Sequence, residues 1–390
     1  MITVSEARAL LFDLAGPLGT EEVPLEQAAG RVLAAPVAAR RDQPPFAASS
    51  MDGYAVNAAE VEQHAMFKVI GEAAAGHRFP GRVGPGQAVR IFTGAPMPEG
   101  ADFVVIQEDT SRSEDLITIT SDPGSKSNVR PAAVDFASGA IIGAPRLLRP
   151  EDIALLAAMN VPVVSVTRKP VVALMSTGDE LVMPGDTPGP DQIIVSNTFG
   201  LQALLQAHGA ECRMLPIARD TLESLRAGFE LAKGADLIIT IGGASVGDHD
   251  LVAEATEGLG MQRSFYKVLM RPGKPLMAGK LDASTMVGLP GNPVSAMVCG
   301  YIFILPLLRS MLGLGQKAPQ EADAVLARDI GANGPREHYM RATVRDGKLT
   351  AASDQDSSLL SVLAEANALL VRPPHDPARS AGTAVRYVPI

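Results

Sequence analysis

LIITIGGASVGDHD, residues 237–250, and VGLPGNPVS, residues 287–295, are the stretches from which the architecture of this 390-residue chain is read. Leu237–Ile241 is an apolar run without alternation, the pattern of a strand buried on both faces. It breaks into Gly242-Gly243-Ala244-Ser245-Val246-Gly247, a turn in which missing Cβ atoms let backbone amides approach a ligand closely. In the second stretch Val287–Leu289 is again strand-like, Asn292 stands where a helix N-cap belongs, and Pro293 falls at the first helical position. A helix starting there directs free N–H groups and a positive dipole end at whatever lies above the strand tip, which makes an anion site. Two such turns at strand ends are what an open α/β sheet uses to hold phosphorylated ligands at its carboxyl edge.

The flanking sequence repeats the pattern. Val171–Met175 is a buried strand running into Ser176-Thr177-Gly178-Asp179-Glu180, with a helix pattern over Thr198–Ala207 and a strand around Met214–Ile217. Asp220 precedes a helix from Thr221 to Lys233, and Asp250 opens another. Strands alternating with helices predict a parallel, doubly wound α/β domain over 169–316. Thr177, Glu180, Asp220, Ser245, Asp250 and Pro290 then fall near one edge of that sheet. Asp220 and Asp250 are also in position to be simple N-caps, and both uses are compatible.

Residues 3–15 place Val4, Ala7, Leu10, Leu11 and Leu14 at helical spacing; Leu25–Leu33 reads as a second short amphipathic segment, and helical periodicity returns over Leu148–Asn160. Between them Phe67–Ile70, Gln87–Phe92, Phe103–Gln107 and Leu116–Thr120 are short strands punctuated by Pro and Gly. The simplest division is a discontinuous helical domain, 1–41 with 136–168, carrying an inserted small β domain, 42–135. From residue 317 onward Ala324–Ala327, His338–Val344, Leu349–Ala352 and Ala384–Val388 read as strands and Leu359–Ala366 as a short helix, a C-terminal β domain over 317–390.

Composition narrows the function. At 46% hydrophobic and 20% charged the chain buries substantial cores. A formal charge of -9 argues against nucleic acid as the main partner, so an anionic ligand must be held by helix ends and a few cations. Cys212 and Cys299 are the 2 cysteines, without CxxC spacing, which points to neither a disulfide framework nor a zinc site and to a cytoplasmic chain. The N-terminus, with Glu6 and Asp13 in an amphipathic pattern, lacks the features of a signal peptide. The apolar run Val294–Leu308 is shorter than the roughly 20 residues that span a bilayer, and reads as a core or interface helix.

GGASVGDHD, together with MRPGKP (Met270–Pro275) and LPGNPVSA (Leu289–Ala296), closely resembles the molybdopterin molybdenumtransferase family, the MoeA type and the E domain of gephyrin. The resemblance runs along nearly the whole chain. FAASSMDGYAVN (Phe46–Asn57) is similar to a family motif whose aspartate faces the active site, although Asp-Gly is most often a hairpin turn. RIFTGAPMPEGADFVV (Arg90–Val105) is similar to another, with Thr93-Gly94 in its active-site part. Arg130 and Asp135 resemble the family's Arg and Asp pair, with Pro131-Ala132-Ala133 where a Gly commonly stands. DQDSSLLS (Asp354–Ser361) is similar to a serine-rich turn in which Asp356 replaces a common glycine. The α/β domain alone resembles the fold of MogA-type adenylyltransferases and of CinA-like proteins.

The resemblance implies an enzyme of molybdenum cofactor biosynthesis that takes adenylylated molybdopterin and molybdate as substrates, releases AMP and leaves molybdenum on the pterin dithiolene. It implies catalytic roles for Asp52, Asp135, Glu180, Asp220, Asp250 and Lys274. Thr93, Arg130, Ser176, Thr177, Gly178, Gly243, Ser245, Arg271, Pro290, Asn292, Pro293 and Ser295 would bind substrate, and Asp220 and Asp250 would hold Mg2+. Arg271 stands where Lys is frequent; it binds oxyanions as a planar fork but does not give up a proton, so Lys274 is the proton-linked cation. A homodimer is implied, with Asp52 completing the partner's site, as is handover of substrate from a molybdopterin adenylyltransferase. Neither nucleic acid nor membrane is an expected partner. Two alternatives stay open: an adenylyltransferase or nucleotide pyrophosphatase on the same sheet, and a non-catalytic scaffold of the gephyrin type.

Overall fold

The computed structural model describes residues 1–243 and 251–390. Its helices are α1 (Val4–Leu14), α2 (Pro150–Ala158), α3 (Asn197–Ala207), α4 (Leu222–Leu231), α5 (Leu251–Gly258), α6 (Pro293–Cys299), α7 (Leu305–Met311) and α8 (Leu360–Glu365). The central sheet has six strands in the order 211–214, 171–176, 237–241, 284–289, 277–281, 262–266. Alternate side chains serve opposite faces. Val172, Leu174, Leu237 and Ile239 join a core with α1, α3, α6 and α7, while Ala173, Met175 and Ile238 pack with Leu225 and Phe229 of α4 and Val252 of α5.

The first four strands in that order are parallel, but the last two pairings, Ser284–Leu289 with Met277–Leu281 and the latter with Gln262–Tyr266, are antiparallel. The purely parallel sheet expected from the strand and helix alternation is corrected in this respect. Only Asp282 and Ala283 separate the two hairpin strands, too few for a crossover, and Asp282 takes φ +50 to close the turn.

The apolar run beginning at Pro293 is helical to Met311, with Gly300–Ile304 wound as a π-helix between α6 and α7. Pro306 has no N–H to donate and its ring crowds the preceding turn, which the wider winding just before it accommodates. By length and composition this helix is apolar enough to cross a membrane, but 78% of its most apolar window is buried inside the protein, and it forms the middle of the largest core.

The other units are built around this centre. Thr20–Pro24, Val32–Leu33, Arg146–Leu147 and Val163–Thr167 make a four-stranded sheet that shares a core with Leu156 and Met159 at the end of α2. Leu25–Leu33, suggested above as a short amphipathic segment, is a single 3-10 turn at Leu25–Gln27 followed by a strand, since Gly30 takes φ +74 and stops any helix. Between the two halves of that unit lies a six-stranded sheet spanning Gly53–Ile119 with its own two cores. In the C-terminal part the strand Glu337–Arg345 pairs with both Lys348–Ala351 and Ala368–Arg372, and through Ala322–Leu326 and Ala384–Pro389 the sheet closes on itself as a barrel.

Phe303 is fully buried in the largest core, whereas Leu231 is 56% exposed. Phe303→Ala should lower unfolding free energy by about 3–5 kcal/mol, through lost burial and a cavity, and Leu231→Ala by no more than about 0.5 kcal/mol, as measured by urea denaturation.

Candidate functional site

Three strand ends meet at the carboxyl edge of the central sheet. Thr177 N–H donates to Ile241 O (3.0 Å) and Gly242 N–H to Leu289 O (3.1 Å), so the turns after 171–176, 237–241 and 284–289 continue the ladder for one residue and then diverge. The glycines are required by contact. A Cβ on Gly242, at φ +99, would lie 2.5 Å from Thr177 O; one on Gly243, at φ +66, would lie 2.4 Å from Val252 Cγ2 and 2.9 Å from Thr177 Oγ1. Gly291 is tight but less so, its Cβ position 3.3 Å from Gly242 Cα. Above this junction opens a cavity of about 520 Å3 lined by Ser176, Thr177, Gly178, Glu180, Asp220, Gly242, Gly243 and Pro293, among others.

The floor of the cavity has unspent hydrogen-bonding capacity. The Ser176 and Thr177 hydroxyls are buried without a partner among the described residues, as is Thr240 one strand over. A buried hydroxyl left unpaired costs about 1–3 kcal/mol, so such groups mark places where a ligand or water completes the bonding. On one wall stand two carboxylates. Glu180 folds back over Gly178, whose Cβ, were there one, would lie 2.4 Å from Glu180 Oε2. Asp220 is not the cap of α4, the simpler use considered above: Thr221 caps it by accepting from Ser224 N–H at 3.2 Å. Asp220 N–H instead donates to Asp179 Oδ1 (3.1 Å), and Asp220 lines the cavity with no carboxylate hydrogen bond among the described residues. Arg219 fixes the same wall by donating to Asp179 O (2.9 Å) and Leu181 O (3.3 Å).

Asn197, the first residue of α3, lines the cavity and donates from Nδ2 to Gly291 O (2.7 Å), tying the wall to the third turn. Its signal in the sequence was Ser196-Asn197 directly before a helical pattern. Pro293 lines the cavity, whereas Pro290 is buried and outside its lining; Asn292 holds the N-cap position of α6 without a side-chain capping bond, and Ser295 is buried inside the helix. The N–H of Val294 donates to Ser357 O (3.1 Å), which docks the C-terminal serine turn on the start of this helix. Arg341, buried to 2% exposure and unmarked in the sequence, holds that turn through Asp356 O (2.6 Å) and Gln355 Oε1 (3.2 Å). Asp356 needs no left-handed backbone: its carboxylate accepts from Ser358 Oγ (2.7 Å) and Ser358 N–H (2.8 Å), bonds that hold its pKa below the usual value.

Arg271 and Lys274 do not line the cavity. Met270–Arg271 pairs in parallel with Glu337–His338 of the barrel, and Gly273 takes φ +108 to turn the loop, where its Cβ would collide with Cys299 Sγ at 2.6 Å. Burial, reinforced by Arg271 and three further arginines, pushes His338 down to about 4, so its ring is neutral beside Arg271. Neither Arg271 nor Lys274 has an ion-pair partner among the described residues. Ser245 and Asp250 lie outside the described residues.

The remaining candidates belong to the inserted domain. Asp52 Oδ1 accepts from both Thr93 N–H and Thr93 Oγ1 (2.8 Å each), bonds that hold its carboxyl below the usual range, with Arg90 adding to the effect. Arg90 is itself set between the rings of Tyr54 (5.1 Å) and Phe92 (4.7 Å). Arg130 and Asp135 line a second cleft of about 480 Å3 with Arg41, Gln43 and Gly94. Where a Gly was noted as usual, Ala133 takes φ +57, a left-handed conformation that strains an alanine by about 1–2 kcal/mol. Among the described residues the second cleft and the main cavity share no lining residue.

The fold and this edge define a multidomain protein organised around an α/β domain of the molybdopterin-binding type. Residues 2–160 match the MoeA N-terminal region (domain I and II), residues 173–310 the probable molybdopterin binding domain, and residues 323–390 the MoeA C-terminal region (domain IV). The chain belongs to the MoeA family. It is 37% identical to the molybdopterin molybdenumtransferase of a Nostoc species, over 96% of this chain and 90% of that one, and 34% identical to that of Haemophilus influenzae, over 100% and 98%. The crystal structure of the molybdopterin biosynthesis MoeA protein of Pyrococcus horikoshii superposes with a TM-score of 0.85 at 26% identity, covering 100% of both chains.

The Asp52 contacts make a direct prediction. Since the folded pKa is depressed, the stabilising contribution of this carboxylate is present above its unfolded value of about 3.9 and lost as pH falls through the folded one. In an NMR titration Asp52 should titrate below 3.9, and Thr93→Val, which removes one of the two donors, should move it back toward that value.

Proposed function

We propose that this protein inserts molybdenum into the pterin cofactor: it takes adenylylated molybdopterin and molybdate, releases AMP, and leaves the metal on the pterin dithiolene. The observation that carries the reading is the cavity at the sheet edge, where hydroxyls and carboxylates without partners among the described residues meet a helix start. An adenylylated pterin presents a phosphoanhydride and hydrogen-bonding heterocycles, and Ser176 and Thr177 belong to the cavity lining with hydroxyls that hold no bond among the described residues. Their fixed positions in strand ends cost no reorganisation when charge develops on the leaving phosphate.

Asp220 and Asp250 are the residues we assign to Mg2+. The fit rests on the hard oxygen donors of this edge, where Asp220 lines the cavity and Glu180 stands opposite Gly178. When bound, the ion would neutralise charge on the phosphoanhydride oxygens. Lys274 is the proton-linked cation, and Arg271 binds oxyanion without proton transfer. Molybdate, a tetrahedral dianion and a substrate, suits the cationic loop that carries both.

Purified protein incubated with adenylylated molybdopterin, Mg2+ and molybdate should release AMP and form the molybdenum-loaded pterin. Asp220→Ala and Asp250→Ala should each slow AMP release by about a hundredfold or more, the scale on which removing a charge-stabilising group acts, with unfolding midpoints little changed. Wild-type protein that releases no AMP would overturn the reading.

A homodimer, in the cytoplasm and supplied by a molybdopterin adenylyltransferase, belongs to the same reading. Asp52, Thr93, Arg130 and Asp135 would act on the cavity of the partner subunit, which suits their separation from the cavity of their own chain. Mixing equal amounts of Asp52→Ala and Asp220→Ala proteins after reversible dissociation then regenerates one intact site per mixed dimer. Activity should return to about a quarter of wild type by random pairing; a mixture as inactive as its parents would show that Asp52 serves its own chain.

A further inference from the structure

One wall of the main cavity has a composition that anion binding does not explain. Leu181–Val182 and Ile193–Ile194 form a parallel two-stranded ribbon outside the central sheet. Successive residues of a strand face opposite sides, yet Ile193 is 58% exposed and Ile194 39%, so neither face of the ribbon is covered by another layer. Both residues nevertheless line the cavity, together with Leu181. The ribbon is held in place. Ile193 N–H donates to Glu180 O (2.8 Å), Val195 N–H to Val182 O (2.9 Å), and two residues further on Asn197 is fixed to Gly291.

Resting on the reading above, we infer that Ile193 and Ile194 are specificity residues: they form the apolar wall against which a planar nitrogen heterocycle of the substrate packs, while the polar floor takes its charged end. The lining holds both kinds of group: Ser176, Thr177, Glu180 and Asp220 come from the strand ends, and Leu181, Ile193, Ile194 and Val195 are aliphatic. Its volume of about 520 Å3 falls within the range of small-molecule sites, which are apolar surfaces with a few placed polar groups. A bare oxyanion would leave the isoleucines in water. A flat ring laid on them removes apolar surface from solvent on both sides of the contact and fixes the ring plane relative to the floor.

The purine of the nucleotide and the pterin itself share this chemistry, and separate ligands distinguish them. Ile193→Ser and Ile194→Ser remove exposed side chains, so both proteins should fold with wild-type unfolding midpoints. Isothermal titration calorimetry would follow AMP, a 6-substituted pterin, and ribose 5-phosphate as a control without the ring. The double variant should lose about tenfold or more in affinity for AMP, the pterin or both, the loss expected for apolar area of this size, and bind ribose 5-phosphate as wild type does. Loss for AMP alone assigns the wall to the purine, and loss for the pterin alone assigns it to the pterin. Unchanged affinity for both rings, an equal loss for ribose 5-phosphate, or a changed oligomeric state with unchanged ligand affinity would overturn the inference. A wild type that releases AMP in turnover while the variants bind every ligand normally would sink the wall and leave the proposed activity standing.

Discussion

Close approach of three backbone turns at the edge of one sheet is the constraint on which the rest of the site depends. Thr177 presses its carbonyl and hydroxyl against Gly242 and Gly243, and Gly291 lies against Gly242 in turn. No side chain fits at Gly242 or Gly243. In the same crowded edge the Ser176 and Thr177 hydroxyls are buried and have no hydrogen-bond partner among the described residues. Packing that satisfies the backbone and strands the hydroxyls thus creates, without any dedicated element, a floor with donors to spare. Asp220 follows the same logic: Thr221 caps α4, which frees the carboxylate beside it.

What could be read from the sequence was whatever depends on local pattern. The buried strands Val171–Ser176 and Leu237–Ile241, α3, α4 and the C-terminal strands lie where unbroken apolar runs and helical periodicity place them. Ala368–Arg372, buried at every position, was not anticipated, since a five-residue apolar run is equally compatible with a helical segment. The antiparallel edge was hidden because the hairpin turn is Asp282-Ala283, which lacks the glycine that usually announces one. Glu180, Asp220, Thr177 and Gly243 do share one cavity, whereas Arg271, Lys274 and the residues of the inserted domain stand apart from it within this chain. Periodicity assigns a residue to an element; it does not carry the distance between elements. Arg341 was missed for the same reason. A lone arginine in a strand reads as a surface charge until the turn it supports is seen folded against it.

The barrel at the C-terminus is more than an appendix to the central sheet. Its strand Glu337–Arg345 takes Met270–Arg271 as an added parallel neighbour, and its serine turn accepts, at Ser357 O, the N–H of Val294 at the start of α6. Two loops of the central domain are therefore held by the last 70 or so residues, about the size of a small independent unit. Among the described residues the inserted β domain has no comparable tie: its cores are its own, and its candidate residues gather around Asp52 and in the Arg130 cleft.

The first helix is fastened at its far end to chain made much later. Leu14 O accepts from Lys280 Nζ (3.1 Å) and Thr285 Oγ1 (2.9 Å), Ile2 bridges to Val268, and Leu18 N–H donates to Met311 O (2.8 Å). During vectorial synthesis α1 leaves the ribosome with its apolar stripe bare, and its docking surface is absent until nearly three hundred more residues have emerged. Pairings of such long separation make for slow maturation. The interval in which Val4, Ala7 and Leu11 wait uncovered is the period when a nascent-chain chaperone has most to shield.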